Sequence, residues 1–194
     1  MDPRSIFSQL SDSTPEPLDV LDNDFGMYAL WDHIGQIRYI GCTPKATEGF
    51  RVRVTNKHVT GSEGRSHKFS QAYCAGRMWR YCKKLHPEAA LKHQLDSDAK
   101  LAKKLRTAFI RTHCKVTFLR VPQSEAPENY FGYLTQLESQ VQQMAPASMR
   151  TWEGIRFQSV EEPRELVDRL LLKMPELEEA AERQRLLYDK YVRR

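Results

Sequence analysis

The chain has 194 residues, 40% hydrophobic and 28% charged, with a net charge of +5 and four cysteines. This balance fits a globular protein with a core of ordinary size and excludes a collagen-like, disulfide-framework or wholly disordered chain. No apolar run reaches the length of a membrane span, and the first residues lack a basic-then-apolar signal, so a soluble, cytoplasmic protein with reduced thiols is expected.

Residues 1–24 read as an irregular acidic lead-in, broken by Pro3, Pro15 and Pro17, in which the run from Ser5 to Leu10 can form a turn of helix. Two short alternating apolar runs follow, near residues 26–32 and 37–42, around a turn at His33-Ile34-Gly35-Gln36; together they read as a β-hairpin. A helix is predicted over 51–59, ending at Gly61, although Val52, Val54 and Thr55 lower its propensity. Helical spacing resumes over 68–85, with Phe69, Tyr73, Gly76 and Met78 on one side, and again over 98–112, with Leu101, Leu105, Ala108 and Phe109 as its apolar stripe. The run Val116 to Val121 is a strand stopped by Pro122. A helix over 128–144 places Tyr130, Leu134, Leu137 and Val141 on one face with Glu138 inside the pattern. Helices over 163–173 and 175–192 each open on a proline at a permitted early position. The fold class expected is α/β, a small, mostly antiparallel three-stranded sheet flanked by helices, with extra helices in the middle and at the C-terminus.

Charge is unevenly spread. Residues 44–122 carry eighteen Lys or Arg against five acids, whereas residues 1–25 carry one basic residue against six acids. A concentrated positive field favours a polyanionic partner, with DNA the first candidate. Lys57, Lys68, Arg77, Arg80 and Lys84 are the expected nucleic-acid contacts, interleaved with Tyr73, Trp79 and Tyr81, which could stack on sugars or bases. The four cysteines lack a common zinc spacing; Cys74, Cys82 and His86 are a weaker metal alternative to buried structural thiols.

Each hairpin strand carries one tyrosine, Tyr28 and Tyr39, beside a glycine. Taken alone these read equally as two packed aromatics or as two phenols able to reach one substrate atom. The motif Gly26-Met27-Tyr28 followed by Tyr39-Ile40-Gly41 resembles the signature of the GIY-YIG nuclease superfamily. Arginines after the second strand (Arg51, Arg53), a histidine-containing stretch (His58, then Ser66-His67) and Glu138 on a helix after the third strand follow in family order. The resemblance covers about residues 25–150, and the domain it implies runs over 25–155, with a basic helical insertion at about 70–112 and a C-terminal helical extension over 156–194.

The resemblance implies a metal-dependent endonuclease that hydrolyses phosphodiester bonds in DNA, uses Mg2+ (with Mn2+ as substitute) and needs no organic cofactor. Glu138 would hold the metal, with Glu128 as fallback. Tyr28, ahead of Tyr39, would act as base, an arginine would neutralise the phosphate and a histidine would assist. Phosphodiester hydrolysis independently requires a nucleophile, a cation on the developing charge and help for the leaving oxygen. Arg53 is preferred to Arg51, but Arg53 and His58 are five residues apart, which rotates them about 140° apart on a regular α-helix, whereas Arg51 and His58 share a face. His67 is an equal candidate for the active-site histidine, and Arg53 has the better spacing to it. Residues 146–154 lack the asparagine common in the family, with Ser148 or Thr151 as substitutes. A homodimer is a further expectation, with Leu166, Leu170, Leu177, Leu187 and Tyr191 as interface or as cover for the sheet. The competing reading is a nucleic-acid-binding protein that keeps the fold without the reaction.

Overall fold

The computed structural model describes residues 1–61, 69–73, 96–154 and 157–191. The chain divides into two compact units, one of residues 1–69 and 111–158, the other of residues 70–110 and 159–194.

The first unit is built on a four-stranded antiparallel sheet in the order β1-β4-β2-β3. Its strands are β1 (Glu16–Pro17), β2 (Gly26–Trp31), β3 (Ile37–Cys42) and β4 (Lys115–Arg120). The expected three strands are all present, and a fourth comes from the lead-in. Glu16 and Pro17 pair with Val116 and Lys115, and the short length of this edge strand suits a proline that cannot donate to a ladder. The lead-in is also more ordered than expected. Helix α1 (Pro3–Asp12) starts where the Asp2 carboxylate accepts the Ser5 amide at 2.9 Å, with Pro3 in the first turn. Its Ile6 and Leu10, one turn apart, are buried.

The hairpin turn is held by Asp32. Its buried carboxylate accepts the Ile34 and Gln36 amides and pairs with Arg38 Nε at 2.7 Å. The central strand β2 is covered on both faces. Alternation sends Met27 and Ala29 to one face, where they join Ile6, Leu10, Ile40, Leu134 and Val141 in the main core. The helix α3 (Tyr130–Met144), capped by Asn129, closes that face. Tyr28 lies on the other, with Phe50 edge-on at 6.4 Å and Phe50 in turn against Phe118 at 5.3 Å.

Helix α2 (Asp96–His113) covers the last part of the expected insertion and leads into β4, close to its predicted span. In the second unit, Tyr73 packs on Phe109 at 4.8 Å and Lys104 pairs with Glu176 at 2.7 Å. Helices α4 (Arg164–Leu171) and α5 (Glu178–Tyr191), joined through a 3-10 turn at Pro175–Leu177, form the C-terminal part. Leu170, Leu177 and Leu187, expected either at an interface or in the interior, are buried, and Leu166 is half-buried. No helix among the described residues is long and apolar enough to cross a membrane.

Candidate active site

The register of the hairpin sets the geometry. Tyr28 pairs with Gly41 and Leu30 with Tyr39, so the two tyrosines lie on one face, a diagonal step apart, with ring centroids at 6.2 Å. A Cβ on Gly41 would come 2.6 Å from Tyr39 Cε1 and 2.7 Å from the Tyr28 hydroxyl. The glycine of the second half-motif is thus the floor on which both rings lie. The glycine of the first half-motif has a different reason: at φ 156° its Cβ would meet the Leu119 carbonyl oxygen at 2.0 Å, against β4.

The segment after the hairpin is helical as expected, but not α-helical. Arg51–His58 is a π-helix, with the Val59 amide donating to the Val54 carbonyl at 3.0 Å, five residues back. This removes the spacing conflict. An i→i+5 helix brings position i+5 nearly over position i, so Arg53 and His58 share a face that an α-helix would have split. His58 is buried, and its Nε2 lies 2.6 Å from the Tyr28 hydroxyl. Its ring is 5.8 Å from Tyr28 and 5.4 Å from Tyr39, which closes a triangle of three rings. The charge of Arg53 acts on Tyr28, Tyr39 and Glu138.

Arg53 is positioned by a residue that periodicity did not flag. Glu48, buried in the loop after β3, takes Arg53 Nη1 at 3.0 Å on one oxygen and Lys57 Nζ at 2.6 Å on the other. Burial alone would raise the Glu48 pKa. The Lys57 hydrogen bond and the Lys57 and Arg53 charges outweigh it and hold the carboxyl below its ordinary value. Lys57, expected on nucleic acid, is therefore also a partner of this carboxylate. Arg51 is placed differently. Its Nε donates to the Leu21 carbonyl at 2.9 Å and it lines a cavity with Leu18 and Arg111, so Arg53 is the arginine the helix presents to the tyrosines.

Glu138 enters from the other side of the sheet. β3 is its edge strand, and α3 packs along it, with Gln142 Nε2 donating to the Ile40 carbonyl at 2.7 Å and to Glu138 Oε1 at 3.2 Å. The other Glu138 oxygen accepts the Cys42 thiol at 3.1 Å. Burial raises the Glu138 pKa, opposed by the Cys42 hydrogen bond and the Arg53 charge, while Glu153 adds to the rise. Both phenols are likewise pushed up from 10, first by burial. For Tyr28 the Tyr39 phenol comes second; for Tyr39 it is the Glu138 carboxylate, and the Arg53 charge opposes each rise. The Cys42 thiol is raised as well, chiefly by burial.

Among the described residues no three His, Cys, Asp or Glu side chains form a metal cage. A half-buried carboxylate whose orientation is fixed by Gln142 fits a hard cation that keeps most of its waters, not a zinc-type cage. Glu128 is exposed and outside this cluster.

The structure thus puts Tyr28, Tyr39 and His58 in contact, with the charges of Arg53 and Glu138 acting on both phenols. His67, Lys68, Arg77, Arg80 and Lys84, as well as Cys74, Cys82 and His86, lie outside the described residues. In the stretch without asparagine, Ser148 is exposed and the buried Thr151 hydroxyl has no hydrogen-bond partner among the described residues. That stretch contributes Glu153 instead, paired with Arg150 at 2.8 Å and acting by its charge on Tyr39 and Glu138. Neither Glu48 nor Glu153 could be found from spacing; the available signal was only an isolated acid among basic or apolar neighbours. No family model, curated protein or solved structure matches the chain.

Proposed function

We propose that this protein is a metal-dependent DNA endonuclease of the GIY-YIG type, cutting phosphodiester bonds in a restriction-, defence- or repair-like role. The observation that carries the reading is the contact of Tyr28 with Tyr39 and His58, with the charges of Arg53 and Glu138 acting on both phenols. The antiparallel sheet with the tyrosine hairpin at one edge is consistent with the fold that the motif implies.

In this reading Tyr28 and His58 act as a pair. A buried phenol with a raised pKa is a poor base alone, because its anion is disfavoured. With the His58 proton on Nδ1, Nε2 accepts the Tyr28 proton as the phenol oxygen takes one from the attacking water, so no free phenolate accumulates. Arg53 neutralises the phosphate and stabilises charge as it develops. Glu138 would hold the magnesium ion, which when bound supplies Lewis-acid stabilisation of the phosphate and leaving oxygen. Tyr39 packs beside Tyr28.

The test is a nicking assay on supercoiled plasmid with Mg2+, Mn2+ or EDTA. Cutting with either metal and none in EDTA is the expected result. Intact supercoiled, linear and single-stranded DNA under every metal refutes the enzyme reading.

A second reading is a nucleic-acid-binding protein that keeps the fold without cutting. The observation that favours it is that each Glu138 oxygen already accepts a hydrogen bond within the protein, one from Cys42 and the other from Gln142. Salt-dependent DNA binding that persists in Glu138→Ala, with no cutting by the wild type, would establish it.

A further inference from the structure

The other side of the π-helix opens on a cavity of about 450 Å³ lined by Pro17, Leu18, Asp19, Arg51, Thr55, Asn56 and Arg111. Its two arginines differ from most others in the same unit. Arg38, Arg53, Arg120 and Arg150 each hold a carboxylate: Asp32, Glu48, the Asp22 and Asp24 pair, and Glu153. Arg51 spends its Nε on the Leu21 carbonyl and has no ion pair among the described residues. Arg111, exposed near the C-terminal end of α2, makes neither a hydrogen bond nor an ion pair among them. Asp19 shares the lining, yet no ion pair links it to either guanidinium among the described residues.

Two guanidiniums that hold no carboxylate among the described residues and face one cavity suit an anion, and their forked donors match a phosphate. The remaining wall is partly apolar: Pro17 and Leu18 offer a surface for a sugar or base. The volume lies in the range of pockets that take small organic ligands, enough for a nucleotide unit. The same helix carries Arg53 and His58 towards the tyrosines and Arg51, Thr55 and Asn56 towards the cavity.

We infer that this cavity is a second phosphate subsite, in which Arg51 and Arg111 hold a non-scissile backbone phosphate of the DNA strand that continues to Arg53 and Glu138. The inference rests on the nuclease reading above. It gives the π-helix two tasks, presenting the reacting phosphate on one face and anchoring the strand on the other.

The test is fluorescence anisotropy with a short labelled DNA duplex and its single strand in EDTA, comparing wild type, Arg51→Ala, Arg111→Ala and the double variant over a salt series. Each single variant should bind about tenfold more weakly, and the double variant should lose about 0.9 from the log–log salt slope on duplex, the value for one phosphate contact. Arg111→Ala removes no hydrogen bond or ion pair among the described residues, so it carries the test if Arg51→Ala, which loses the Leu21 contact, fails to fold. Unchanged affinity and slope in Arg111→Ala, with the wild type binding normally, overturns the subsite and leaves the nuclease reading intact. Absence of DNA binding by the wild type removes both. In that case AMP and inorganic phosphate are titrated by NMR, and binding of either that depends on Arg111 assigns the cavity to a free ligand and overturns the strand assignment.

Discussion

Replacing Gly41 by alanine adds one methyl group at the point where the two tyrosine rings meet. That carbon would lie 2.6 Å from Tyr39 Cε1, 2.7 Å from the Tyr28 hydroxyl and 2.9 Å from Tyr28 Cζ. Comfortable contact between carbons begins at about 3.5 Å, so the methyl is about 0.9 Å too close to the Tyr39 ring and about 0.6 Å too close to the Tyr28 ring. Neither ring is a free end: Tyr28 is fully buried, Tyr39 is 9% exposed, and the Tyr28 hydroxyl is tied to His58. Overpacking of this kind costs about 1–3 kcal/mol, and at about 2–4 °C per kcal/mol for a chain of this size the melting temperature should fall by about 2–12 °C. The same push moves the Tyr28 oxygen off His58 Nε2, so cutting should fall further than the stability loss explains. Calorimetry gives the first quantity, and plasmid nicking well below the melting temperature gives the second. In Gly41→Ala/Tyr28→Phe the hydroxyl contact is gone, so the double variant should be more stable than the sum of the singles predicts. A Gly41→Ala protein that melts and cuts like wild type would show that the rings do not close over this glycine.

Three further predictions follow from the same cluster. His58→Ala and Tyr28→Phe should each slow single-turnover cutting by about 10²–10⁴-fold, and the double variant should be little worse than either, because the two act on one proton; full additivity would separate them. Glu138→Gln should abolish cutting yet raise the melting temperature near pH 7: burial holds the Glu138 pKa above its ordinary 4.5, so the folded state bears an ionised carboxylate it disfavours. That gain should shrink as pH falls to about 4.5 and the wild-type carboxyl takes up its proton; a pH-independent gain would locate the effect elsewhere. Glu48→Gln should cost about 2–3 kcal/mol in urea unfolding, below the usual loss for a broken buried pair because Arg53 and Lys57 retain 13% and 25% exposure. Since the Glu48 pKa is depressed, its stabilisation is present above about pH 4.5 and disappears as pH falls through the folded value, so the variant should lack that part of the acid-induced loss.

The features legible in the sequence are those governed by local chemistry. Turn residues and alternation located the hairpin, whose Asp32-centred turn needs only neighbouring amides. The 3.6-residue period located Tyr130–Met144 and placed Glu138 beside its apolar face, where the structure has it half-buried. The lead-in reads as irregular because three prolines interrupt it and Ser and Asp dominate it, although Pro3 in a first helical turn after an Asp cap starts a helix.

Longer-range contacts decided the rest. Two residues in β1 carry no periodicity, and only the presence of β4 makes them a strand. Glu48 gathers charges from Arg53 and Lys57 on the helix that follows it, a grouping invisible until the helix docks. The arginine–histidine spacing is the sharpest case. Residue propensities describe how readily Arg51–His58 turns into a helix, but not whether that helix closes with four or five residues per hydrogen-bonded turn. That choice depends on how Val54 and His58 are buried against the rest of the unit, and it is what places Arg53 and His58 on one face. The sequence by itself determined which residue types are on hand, two hairpin tyrosines, arginine, histidine and a helical glutamate. Tertiary packing decided which arginine and which face of the helix meet the tyrosines, because a one-residue change in helical closure rotates every later side chain.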